Sequence, residues 1–159
     1  MKAAAVPGLS AEMPLAAAAR CIVAARAGEL FGFSAAALDE RNKESLHDMR
    51  IAAKRLRYVL ELIGFAIGEV AVEAELCARE LQTLIGEIHD HDVLIARIES
   101  PTAASPGRGA RRLALRLHSR RDALFIKFAA LWATIEERGL HARIVAATSL
   151  SPSSVESGA

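Results

Sequence analysis

Between residues 42 and 65 apolar side chains return at steps of three and four: Leu46, Met49, Ala53, Leu56, Leu60 and Ile63. That repeat is one face of an α-helix; a strand, which sends alternate residues to opposite sides, cannot bury it. A buried helical face must be covered, and three further segments carry the same signal. Pro14 can open a helix over 14–31, with Leu15, Ala19 and Ile22 at helical spacing. Residues 70–99 repeat the pattern through Leu76, Leu81, Leu84, Ile88, Ile95 and Ile98, although Gly86 interrupts it at a cost of about 1 kcal/mol relative to Ala. Residues 110–138 place Leu113, Leu117, Leu124, Phe128, Leu131 and Ile135 inward. Gly64 and Gly68 mark a bend, the SPTAASPGRG stretch at 100–109 reads as a loop, and Gly139 as a stop. With no segment of period two, the expectation is an all-α fold, a four-helix bundle.

At 159 residues the chain suits one domain. The expected organisation is a flexible lead over 1–13, a bundle over 14–140, and a C-terminal extension over 141–159 that is disordered from about 149. Apolar residues make up 52% of the chain and aromatics only 4%, which argues against disorder and against an aromatic-rich sandwich. Cys21 and Cys77 lack metal-site spacing and read as small core residues. No apolar run reaches the roughly 18 residues needed to span a bilayer, so no membrane association and a cytoplasmic address are expected.

A net charge of +1 predicts no affinity for anions, but the distribution does. Residues 61–99 hold nine acidic and two basic side chains, whereas 106–127 hold seven basic and one acidic. On the second long helix His47, Arg50, Lys54 and Arg57 recur at steps of three, four and three, one position after the apolar row, with Arg55 beside them. Like charges so spaced repel one another along a helix. Such a row is either a solvated face, or a set of cations paired with the acidic third helix, or a ladder of phosphate ligands. The fourth helix adds Arg112, Arg116, Arg120 and Lys127, with Arg121 adjacent. If the two rows line one groove, an extended polyanion can lie between them, and its binding weakens as salt rises. Tyr58 is the only aromatic near the first row, which suits a bare phosphate chain better than a nucleobase and argues against sequence-specific nucleic-acid binding.

The third helix carries His89, Asp90, His91 and Asp92 in succession. Imidazole and carboxylate are metal ligands, so a metal-dependent phosphohydrolase is one alternative reading. On a helix, however, only His89 and Asp92 of the four share a face. No phosphate loop, nucleophile elbow or Ser-His-Asp set is present, so no catalytic residue, metal or cofactor is expected. A helical adaptor that contacts another protein is a further alternative.

The stretch LHDMRIAAKRLRYVLEL at 46–62 resembles the signature of CHAD domains, the conserved-histidine α-helical domains that bind inorganic polyphosphate: His47, Arg50, Lys54, Arg55, Leu56 and Arg57 stand in the order H-x-x-R-x-x-x-K-R-L-R. A second block at 81–98 is similar through Gly86, Asp90 and Val93, and a third at 117–132 through its Arg pair and closing Trp132. The resemblance implies a non-enzymatic helical module whose basic residues line a passage for polyphosphate and which directs proteins to polyphosphate granules. It assigns phosphate contact foremost to His47, Arg50, Lys54 and Arg57, then to Arg116, Arg120, Arg121 and Lys127. A full domain of that family has two four-helix halves, whereas this chain has residues for one half. Either two copies pair to rebuild the passage, or the chain is a truncated or diverged form with a weaker, open groove; the favoured solution is a homodimer, because a lone half exposes the face that normally meets its partner.

Overall fold

A computed structural model describes residues 3–100 and 107–149. Among these residues the chain is all helical. Helix α1 spans Leu15–Phe31, the short α2 spans Ser34–Ala37, and α3 spans Lys43–Ile63. A 3-10 turn over Gly64–Ile67 leads to α4, Val70–Ile98, and the chain continues through α5, Arg108–Glu137, to α6, Leu140–Ser149. The expected tail beyond 149 and most of the expected loop over 100–109 lie outside the described residues.

Helix α3 begins where Asn42 caps it, its side chain accepting a hydrogen bond from the Ser45 N–H. The apolar row found in the sequence becomes its inner face: Leu46, Met49, Ala53, Leu56 and Leu60 are buried, with Ile63 packed at the margin. This face meets α1 on one side and α4 on the other, and α4 packs in turn on α5. Trp132, Phe128 and Met49 are the largest fully buried side chains and anchor the core.

The architecture is richer than four helices. Gly139, at φ +62°, ends α5 in the left-handed region that glycine adopts without strain and turns the chain back on itself. Helix α6 comes next, in place of the extension that the sequence suggests. Its Leu140 and Ile144, four residues apart on one face, are buried, and it packs against α1, α4 and α5, joining the outer members of the bundle. The lead is also held: Ala4 donates its N–H to Glu29 Oε1 at 2.9 Å and accepts from Arg26 at 2.8 Å.

Three leucines expected inside are exposed: Leu15, Leu76 and Leu113. Alanines occupy many of the interior positions instead, among them Ala19, Ala27, Ala74, Ala78 and Ala114. Small side chains let helices approach closely, and a leucine at such a crossing overfills it. The inner row of α5 accordingly runs through Ala114, Leu117, Arg121, Phe125, Phe128, Trp132 and Ile135. None of the described helices is long and apolar enough to cross a membrane.

Candidate functional site

The cations of α3 project onto the seam between α3 and α4. His47 approaches His89 of α4, the ring centroids 5.2 Å apart and tilted by 44°. One turn along, the Arg50 guanidinium lies over Gly86: a Cβ there would stand 3.3 Å from Arg50 Nε. The glycine that interrupts the sequence pattern of α4 is thus the seat of an arginine. Lys54 and Arg57 both reach the ring of Tyr58, at 5.8 and 4.5 Å from its centroid. From His47 to Arg57 the row runs about 15 Å along the helix axis.

Pairing within this row is incomplete. Arg50 and Lys54 form no ion pair among the described residues. Arg57 Nε stands 3.7 Å from Glu61 Oε1, an ion-pair distance too long for a hydrogen bond. His47 Nδ1, Arg50 Nε and Arg57 Nε are buried atoms without a hydrogen-bond partner. Three such groups in a line are unusual, because a buried polar atom left unsatisfied costs about 1–3 kcal/mol. Acidic neighbours gather at the two ends of the row. Glu61 and Glu75 hold Arg79 at one end, and at the other Asp92 takes Lys43 at 2.8 Å. Beside Asp92 a cavity of about 380 Å³ opens between α3 and α4, with His47, His89 and Val93 in its wall.

Two residues of the expected set face elsewhere. Arg55 turns to α1, where its guanidinium meets Glu29 at 3.1 Å. Burial of Glu29 raises its pKa, but the Ala4 N–H, the Arg26 hydrogen bond and charge, and the Arg55 charge together outweigh this and hold the carboxyl below its ordinary value. Arg121 stands in the buried row of α5, where its guanidinium bonds to the Glu40 carbonyl at 2.7 Å and to Asp92 Oδ1 at 3.3 Å, above the Phe125 ring. Its donors tie α5 to α4 and to the segment before α3.

Arg112, Arg116, Arg120 and Lys127 are exposed on α5. Arg120 and Lys127 border a groove shared with Glu87 and His91 of α4. His91 lies about 200° around the helix from His89, so the two basic rows flank α4 on opposite sides and do not face across one groove. Helix α4, packed against both α3 and α5, separates them.

The His-Asp cluster is dispersed in the same way. His89 faces His47, His91 bonds the Glu87 carbonyl at 2.8 Å, Asp92 is taken by Lys43 and Arg121, and Asp90 is exposed. Among the described residues no three His, Cys, Asp or Glu side chains are grouped to hold a metal. Sequence reasoning named the α3 row but missed the roles of Gly86 and His89. Both lie at helical spacing on α4, yet nothing in the linear pattern tells which α3 residue each will meet.

Comparison with curated proteins and with solved structures finds no match. A family model, CHAD domain, matches residues 2–99, which run from the lead through α1, α3 and the whole of α4 and so include the complete seam with its histidine and cations. That stretch is more than half of the chain, and the protein belongs to the CHAD domain family.

Proposed function

We propose that this protein binds inorganic polyphosphate along the α3–α4 seam and performs no chemistry on it. The family is associated in general with polyphosphate binding. The observation that carries the reading here is the line of buried, unpartnered nitrogens on His47, Arg50 and Arg57, with Lys54 exposed among them. Phosphate oxygens are strong acceptors, and a chain lying along the row satisfies each nitrogen in turn; the guanidinium forks suit paired oxygens, and Lys54 adds a mobile charge. His47 contributes a hydrogen bond through its ring nitrogen. Arg112, Arg116, Arg120 and Lys127 act as a second, separate track for the same polymer on the far side of α4. In a cell that stores polyphosphate in granules, such binding recruits the protein to them.

Titration with long-chain polyphosphate at two salt concentrations tests the proposal. The three seam cations contribute about −2 to the slope of log affinity against log salt, hence a loss on the order of tenfold between about 50 and about 200 mM. The Arg50→Ala, Lys54→Ala, Arg57→Ala triple variant, checked for an intact helical signal, should lose that share of both the affinity and the slope and keep only what the α5 row supplies. Wild-type affinity in that variant would end the proposal.

A further inference from the structure

The outward face of α4 carries a row of exposed residues at steps of three and four, from Glu69 at its N-cap to Arg97 in its last turn. The row averages about 3.5 residues per step, the repeat of a helix that pairs with another helix along a seam. It also has a property that a solvated face does not need. About Thr83, its exposed midpoint, the spacing reads the same in both directions, and three of the four residue pairs related by that reversal are complementary.

We infer that two copies of this chain associate through this face, their α4 helices antiparallel about a two-fold axis that passes at Thr83. In that arrangement Val72 of one copy meets Leu94 of the other, side chains that are 63% and 45% exposed in the single chain. Glu69 meets Arg97 and Arg79 meets Glu87, and the symmetry makes every contact twice. Arg79 already holds Glu75 and Glu61, so Glu87 of the second copy extends an existing cluster. Leu76 meets Asp90, the one pair without complementarity. A parallel alignment sets Glu69 against Glu69, Arg79 against Arg79 and Arg97 against Arg97, so like-charge repulsion selects the antiparallel one. The basic rows of α3 and α5 flank the seam in both copies; at about 0.15 M salt their mutual repulsion is screened beyond about 8 Å.

Sedimentation in polyphosphate-free buffer at that ionic strength tests the arrangement independently of any ligand. The wild type should show a monomer–dimer equilibrium. Arg97→Glu creates two like-charge contacts per dimer and should weaken association at least tenfold, while Glu69→Arg combined with Arg97→Glu exchanges the partners and should restore it. Both positions are exposed, so a retained helical signal is expected in each variant. A wild type that stays monomeric at about 100 µM, where a micromolar dimer is almost fully formed, overturns the inference. So does an Arg97→Glu variant that dimerises as the wild type does, or a double exchange that fails to recover what the single change loses.

Discussion

Gly86→Ala separates stability from ligand binding, because the two should move in opposite directions. An interior glycine costs a helix about 0.8–1.0 kcal/mol relative to alanine, and Gly86 lies well inside α4. The added methyl would meet Arg50 Nε at 3.3 Å and one terminal guanidinium nitrogen at 3.7 Å, with the guanidinium carbon at 3.9 Å. The contact is tight by only a few tenths of an ångström, and the group that must yield is the end of a long side chain, whose displacement costs well under 1 kcal/mol. The net expectation is a gain of about 0.5–1 kcal/mol, equivalent to a rise of about 1–4 °C in Tm for a chain of this size. Polyphosphate affinity should fall instead, since the guanidinium is lifted from its seat and a charge-assisted hydrogen bond is worth about 1.5–3 kcal/mol when well formed. Thermal melts followed by circular dichroism and a polyphosphate titration on the same preparation provide the two readings. A lower Tm would show that Arg50 cannot yield, and a higher Tm with unchanged affinity would show that its position over Gly86 has no part in binding.

Arg121→Ala should destabilise the fold by about 3 kcal/mol in urea unfolding, because Asp92 and the Glu40 carbonyl lose a buried donor; Arg121→Lys should recover little, as an ammonium cannot reach both. A loss of well under 1 kcal/mol, the scale of an exposed ion pair, would refute the assignment of this arginine to the core. Glu29 has a folded pKa below its ordinary value of 4.5, so its stabilisation is complete above the unfolded value and is lost as pH falls through the lower folded one. Glu29→Gln should therefore be less stable than the wild type near neutrality, with the gap closing under acid below about pH 4.5; a gap that is constant with pH would refute the linkage.

The sequence was most informative where one helix could be read without its neighbours. The α3 row fixed both the core face and the order of the cations, since steps of three and four determine angles around a single helix whatever packs against it. The same logic correctly separated His89 and Asp92 from Asp90 and His91. It failed at Leu76 and Leu113, where the choice between a leucine and a neighbouring alanine depends on how closely the next helix approaches. It also failed at α6, whose short apolar pair becomes meaningful only when a surface is present to receive it.

Periodicity by itself determined that this chain is helical, that α3 turns one face inward, and that His47, Arg50, Lys54 and Arg57 share a line. Only the packed structure decided which cations remain available: Arg55 is spent on Glu29 and Arg121 on Asp92, while Arg50 rests over a glycine on another helix. It alone also set α4 between the two basic rows. The reason is geometrical. A repeat specifies directions around one axis, whereas partners are fixed by the register and distance between axes, which depend on every side chain at each crossing.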